Sequence, residues 1–105
     1  MAREIFSGHL EMLLLAAVLA EPLHGYAIID EVRTKSGGAL DYPEGTIYPA
    51  LHRLEEEGLL RSRWQDVDGR RRRVYTLTRS GKAALSGRRR QWERYTQSVA
   101  AILDQ

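Results

Sequence analysis

The chain contains no cysteine. That excludes a disulfide framework, cysteine-based zinc sites and a thiol nucleophile, and it fits a reducing compartment, so a cytoplasmic location is expected. Long apolar stretches are also missing. The run from Met12 to Ala20 is too short to span a bilayer, and no membrane partner is expected. It has the length of a signal-peptide core. Against that, Arg3 is the only positive charge ahead of it, Glu4 and Glu11 are acidic, and no pair among Ala16, Ala17 and Ala20 has the spacing of a cleavage site. Histidines are few: His9, His24 and His52 lie in three separate segments, with no Ser-His-Asp, Cys-His or phosphate-loop pattern. No catalytic residue and no cofactor is therefore expected. His24 and His52 with Glu55 make a weak metal set, and two histidines at unrelated spacing are usually structural, so no metal is expected either.

Acidic side chains are scarce in one half only. Residues 1–60 hold four basic and ten acidic side chains, and residues 61–105 hold twelve basic and four acidic, so a net charge of +2 conceals an acidic and a basic half. Fourteen of the sixteen basic residues are arginine. The planar guanidinium fork suits phosphate and guanine, so the basic half reads as a polyanion-binding surface. A length of 105 residues suffices for one domain with a single core.

The stretch Gly45–Leu60 organises the rest. Ile47, Ala50, Leu51 and Leu54 fall at i, i+3, i+4, i+7, one buried stripe of a helix. Gly58 suits the left-handed residue that ends a helix, and Leu59 can pack back on its last turn. The other face carries Thr46, Tyr48, His52 and Arg53, hydrogen-bonding groups crowded towards the N-terminal half. A helix of this kind can enter a major groove end-on. Pro49 is least costly if the helix begins near Gly45 or Thr46, where amides lack intrahelical partners. Ahead of it, a first helix is expected over residues 7–20, capped by Ser7 and ended before Pro22. It is apolar nearly all round, so more than one side must be buried, and a second subunit can cover one of them. A second helix over residues 25–35 is broken by Ser36-Gly37-Gly38, and residues 39–42 could form a short strand. Three short helices of this order make a helix-turn-helix arrangement with a long turn.

Residues 60–77 switch to alternation about Asp68-Gly69, the strongest short hairpin signal. A two-residue turn sets Val67 opposite Arg70, Asp66 opposite Arg71, Trp64 opposite Arg73, Ser62 opposite Tyr75 and Leu60 opposite Leu77. Arg73 can then stack on Trp64, and Asp66 can pair with Arg71. The opposite face collects Arg61, Arg63, Arg70 and Arg72, which suits phosphate binding. Thr78 can cap a last helix. Within it, Leu85, Arg88, Trp92, Tyr95, Val99 and Ile102 recur at the 3-4 spacing of a coiled-coil seam, with Arg88 its one charged member. That seam must fold back on the first helix or pair with another chain.

His24-Gly25-Tyr26-Ala27-Ile28, Gly45-Thr46-Ile47-Tyr48-Pro49-Ala50-Leu51, Arg53-Leu54-Glu55-Glu56-Glu57-Gly58-Leu59-Leu60 and Tyr75-Thr76-Leu77-Thr78-Arg79-Ser80-Gly81-Lys82 stand in an order that resembles the PadR family of bacterial transcriptional regulators. The single C-terminal helix is similar to the family's small members. The resemblance implies a mainly α fold with a small β-hairpin wing (α+β). Residues 1–78 would be a winged helix-turn-helix DNA-binding domain, and residues 79–105 a C-terminal dimerisation helix packed with the first helix. It implies a homodimer that binds double-stranded DNA and usually represses, with Tyr26, Thr46, Tyr48 and Arg53 at or near the DNA. Together with the residue patterns this gives an expected DNA surface of Tyr26, Thr46, Tyr48, His52, Arg53, Arg61, Arg63, Arg70, Arg71 and Arg72. The expected dimer interface is Leu14, Leu15, Val18, Leu85, Trp92, Tyr95, Val99 and Ile102. Trp92 reads either as simple packing where the helices meet or, with Tyr95 and Arg88 beside it, as the site of a small planar aromatic effector, which the resemblance adds because some small members of the family bind drugs at a tryptophan-lined interface. The competing reading is a winged-helix interaction module whose arginines hold an acidic protein partner.

Overall fold

The computed structural model describes residues 2–104, and side chains from His9 to Asp104. In chain order it comprises α1 (Ala2–Ala17), β1 (Leu23–His24), α2 (Gly25–Lys35), α3 (Glu44–Glu56), β2 (Leu60–Val67), β3 (Arg70–Leu77) and α4 (Arg79–Leu103). α1, α2 and α3 pack against one another. The three strands form an antiparallel sheet in the order β1-β3-β2, and α4 returns along α1. One core unites these elements. It is built from Leu14, Leu15 and Val18 of α1, Ile28 of α2, the stripe Ile47, Ala50, Leu51 and Leu54 of α3, Leu60, Tyr75 and Leu77 of the sheet, and Leu85 of α4.

α1 differs from the helix expected over 7–20. It starts at Ala2, so Ser7 lies inside the helix and is not its cap. It also ends at Ala17, ahead of Pro22, where the Leu19 amide donates to the Ala16 carbonyl at 3.2 Å and tightens the chain into a turn. α2 spans the expected residues. Its cap is an imidazole: Nδ1 of His24 accepts from the Ala27 amide at 3.2 Å, the place usually held by Ser, Thr, Asp or Asn.

No strand forms at residues 39–42. The vacant edge of β3 is taken instead by Leu23 and His24, opposite Tyr75 and Val74, while the loop after α2 is tied down by the Ser36 hydroxyl, which accepts from the Leu40 amide at 2.9 Å. α3 begins at Glu44, slightly earlier than expected, so Pro49 falls in its second turn. There the missing amide forgoes the bond that another residue would donate to the Gly45 carbonyl.

The end of α3 is closed by its glycine. Gly58 has φ +77°, its amide donates to the Glu55 carbonyl at 3.0 Å, and the Leu59 amide donates to the Leu54 carbonyl at 2.9 Å, the bond pair of a Schellman ending. The hairpin has the register expected of a two-residue turn, from Val67 opposite Arg70 to Leu60 opposite Leu77. Asp68 at φ 52° and Gly69 at φ 79° supply the two left-handed residues that such a turn needs.

The Leu77-Thr78-x-x-Gly81 motif joins sheet to α4. Leu77 enters the core. The Thr78 hydroxyl accepts from the Gly81 amide at 2.9 Å and donates to the Gly58 carbonyl at 2.7 Å. A Cβ on Gly81 would collide with the Leu59 carbonyl oxygen and lie 2.6 Å from Leu77 Cδ1, so backbone runs against backbone where α3, β2 and α4 meet.

Candidate nucleic-acid interface

With its apolar stripe committed to the core, α3 turns Thr46, Tyr48, His52 and Arg53 outward, all four exposed. Thr46 and Tyr48 lie in the first two turns, where the Thr46 and Ile47 amides both donate to the Pro43 carbonyl, at 3.0 and 3.1 Å. His52 Nε2 lies 3.6 Å from Glu56 Oε1 one turn on, and both side chains are largely in solvent. Carboxylates stand at both ends of α3, Glu44 in its first turn and Glu55 and Glu56 in its last.

The start of α2 meets the start of α3. Tyr26 is exposed, and the Tyr48 ring lies on Gly25: a Cβ there would sit 2.5 Å from Tyr48 Cε1 and 2.9 Å from its hydroxyl oxygen. Burial against this surface, aided by the charge of Glu44, raises the Tyr48 phenol above its ordinary value, while the Arg72 guanidinium opposes the rise. Burial first and Arg72 second also hold the His24 imidazole below its ordinary value, against the opposing charge of Asp68. The charge of Arg72 is thus felt by both rings.

The wing has two unlike faces. Alternation along β2 and β3 puts Arg61, Arg63, Arg70 and Arg72 on one of them, with Arg72 half-buried and the other three exposed. Arg71 does not join them. Asp66 faces Arg71 in the ladder, yet no ion pair forms between them; the Arg71 guanidinium carbon lies 5.7 Å from the Trp64 ring centroid, and that of Arg73 lies 5.5 Å from it. An exposed ion pair contributes little in water, and the face of an indole competes with it. Arg73 is further tied: its Nε donates to the Ser62 hydroxyl at 2.7 Å, that hydroxyl donates to Glu55 Oε2 at 2.6 Å, and Arg73 Nη2 lies 3.7 Å from the same carboxylate. This strap fastens wing to α3. Sequence reasoning missed it because it joins three elements at no fixed spacing. It also missed the His24 cap and the Gly25–Tyr48 seat; Gly25 and Tyr48 lie on different helices at no fixed spacing, so the chain held no signal for the latter.

The residues expected at a dimer interface divide. Leu14, Leu15, Val18 and Leu85 are enclosed by the chain's own core, so they offer no surface to a second subunit. Beyond Leu85 the seam on α4 opens: Trp92 is 37% exposed, Tyr95 46%, Ile102 66% and the neighbouring Leu103 75%. Val99 is half-buried. The described side chains of α1 meet only the first part. Arg88 Nη1 donates to Glu11 Oε1 at 2.8 Å, which pairs the seam's one charge, and the His9 ring meets Trp92 edge-on at 4.4 Å. The Trp92 and Tyr95 rings lie 6.0 Å apart. On the far side of α1, Leu13 and Ala16 line an open cleft of about 240 Å³ together with Val32 and Leu40. His24 and His52 do not come together with Glu55, and among the described residues no cluster of acidic residues and histidines could hold a metal ion. Among the same residues no helix is long and apolar enough to cross a membrane.

A helix pair whose second member stands outward beside an arginine-bearing hairpin, with a long helix returning along the first, is a winged helix-turn-helix of the kind found in transcriptional regulators. The chain belongs to the PadR-like family of transcriptional regulators, whose sequence model matches residues 14–87. It is 54% identical over 55 residues to the transcriptional regulator Rv3488 of Mycobacterium tuberculosis, a match covering 52% of this chain and 51% of that protein. Its fold is similar to the crystal structure of a PadR family transcriptional regulator from Eggerthella lenta, with 32% identity and a TM-score of 0.77 over 98% of this chain and 88% of that one. A PadR family transcription regulator of Clostridium difficile is also similar, with 26% identity and a TM-score of 0.76 over 92% of this chain and 99% of the other. The chain is a regulator and not an enzyme.

Proposed function

We propose that the chain is a sequence-specific duplex-DNA-binding repressor that acts as a homodimer. The observation that carries this reading is the outward face of α3, Thr46, Tyr48, His52 and Arg53, standing beside a wing face of Arg61, Arg63, Arg70 and Arg72. In this reading α3 enters the major groove with its N-terminal half, where Thr46 and Tyr48 reach base edges, and Tyr26 approaches the backbone. The wing arginines hold phosphate or line the adjacent minor groove. Residues 1–78 form the reading unit and residues 79–105 the dimerising helix. The seam from Trp92 to Ile102 meets its counterpart on a second copy, a pairing that removes an apolar surface from water. A small planar molecule between the Trp92 rings then acts by favouring one spacing of the two α3 helices over another, with Tyr95 beside it; Arg88 is held by Glu11 and orients α1 more than it serves a ligand.

The test is selection of bound sites from random duplex DNA, with sedimentation of the free protein. Inverted half-sites roughly 10 base pairs apart, centre to centre, are expected. A monomer at micromolar concentration, or a preferred site without dyad symmetry, overturns the homodimer; binding to an acidic protein with no salt-dependent affinity for any duplex overturns the DNA reading. Titration with planar aromatic compounds, followed by Trp92 fluorescence in a Trp64→Phe background, tests the effector. Saturable quenching together with loosened operator binding supports it.

A further inference from the structure

Gly25 is the first residue of α2, and its backbone does not ask for glycine: the left-handed glycines among the described residues are Gly37, Gly38, Gly58 and Gly69. At a helix start of ordinary conformation alanine is the better helix former. What excludes a side chain at this position is Tyr48. A Cβ on Gly25 would lie 2.5 Å from Cε1, 2.9 Å from Cζ and 2.9 Å from the hydroxyl oxygen of that ring, and no other group is so close. The ring belongs to α3, and on a helix surface a tyrosine has two open χ1 wells. Lying on the bare α2 backbone fixes one of them.

We infer that Gly25 is a specificity-determining position for DNA recognition although it reaches no base: the missing side chain is the seat that holds the Tyr48 ring in the orientation in which α3 presents it. The inference rests on the reading of α3 as the recognition helix. A seated ring has little rotamer freedom left to lose on binding, whereas a displaced one must be ordered again. Alanine at this position lifts the ring out of its seat, so discrimination should fall while general attraction to DNA, which comes from the arginines, should not.

The experiment compares Gly25→Ala, Tyr48→Ala and the double variant of the full chain, using the highest-ranked duplex from random selection and a scrambled duplex of equal length. Gly25→Ala should weaken the selected duplex roughly three- to tenfold, leave the scrambled duplex unchanged, and add no further loss in the Tyr48→Ala background. Losses that multiply in the double variant, or an unchanged preference in Gly25→Ala, overturn the inference. If Gly25→Ala fails to fold, the double variant, which has room for the Cβ, should fold; misfolding of both shows that the clash lies elsewhere and overturns it too. A readout without DNA separates the two claims. In the parent, the Gly25 α-proton resonances should carry the ring-current shift of Tyr48 and lose it in Tyr48→Leu. Absence of that shift overturns the seat even in a protein that binds its operator. Its presence in a protein that binds no duplex leaves the seat standing and overturns the reading of α3 together with the role inferred from it.

Discussion

The two ends of this molecule are finished differently. At the end where α3, β2 and the start of α4 meet, almost nothing is left over: Gly81 has no side chain because the Leu59 carbonyl occupies its place, and the Thr78 hydroxyl is both donor and acceptor. At the other end α4 runs on past its cover, from Leu85 at 3% exposure to Leu103 at 75%. Both ends obey the same rule, that apolar surface leaves water if something can meet it. At the first end the chain itself supplies the partner. At the second, among the described residues, it supplies a seam and no partner. The closed end thus reads as stability, and the open end leaves apolar side chains in water, which is where the proposed second copy would sit.

Four measurements would break or sharpen that contrast, and the largest effect belongs to the closed end. Gly81→Ala drives a methyl group into backbone that cannot yield, so it should cost about 1–3 kcal/mol or more and lower the thermal midpoint by roughly 5 °C or more. A midpoint unchanged within a degree would mean that the junction is slack. At the open end the reverse is expected: Ile102→Asp with Leu103→Asp should alter the stability of the single chain by only about 0.5 kcal/mol, while sedimentation shifts from dimer to monomer. Loss of the fold in that variant would show the tip to be core after all.

The wing repeats the contrast on a smaller scale. One of its faces is occupied by Trp64 between Arg71 and Arg73, and the other presents Arg61, Arg63 and Arg70 exposed and Arg72 half-buried. Replacing Arg70 and Arg72 by alanine should reduce the slope of log affinity against log salt by about 1 for every phosphate left without its cation, with Arg71→Ala leaving the slope alone. Equal slopes for the parent and the Arg70/Arg72 variant would remove the wing from DNA binding.

The smallest effect concerns the cap on α2. The His24 imidazole is held below its ordinary value by burial and then by Arg72, and it caps through an unprotonated Nδ1. As pH falls through the ordinary histidine value the unfolded chain takes up a proton that the folded chain refuses, so stability is full above that value and declines between it and the lower folded value. His24→Asn keeps a good cap without a titrating group. Chemical denaturation at neutral and mildly acidic pH should find the parent losing more stability than the variant. Parallel losses would show that the ring does not carry the dependence.

Much of this was legible in the chain because it rests on local periodicity. The stripe Ile47-Ala50-Leu51-Leu54, the ending at Gly58 and the register about Asp68-Gly69 follow from rules that act over a few residues. The outward face of α3 is the complement of that stripe and was legible with it. Less legible was anything decided by competition across the fold. Residues 39–42 have a strand-like composition, yet Leu23-His24 won the edge of β3. The seam from Leu85 to Ile102 looks uniform in sequence, but the described side chains of α1 meet only its beginning; Leu85 is core and Ile102 is surface. Arg71 stands beside Arg70 and Arg72 in the chain, and Trp64 claims it. The seat of Tyr48 needed two helices brought together before the absence of a side chain at residue 25 acquired a meaning.

Thr78 has a mechanical consequence. Its hydroxyl binds the last residues of the α3 ending to the first turn of α4, and α4 extends from there for 25 residues, roughly 37 Å at the rise of an α-helix. The long helix is therefore an arm, and Thr78 is its pivot. A molecule or a second subunit that pushes on the far tip has the whole length of the arm to work with, whereas the end of α3 lies next to the pivot. If α3 is the reading helix, as proposed, a displacement at the tip would reach it only as a small rotation about Thr78, resisted by the Arg88–Glu11 pair that holds α4 to α1.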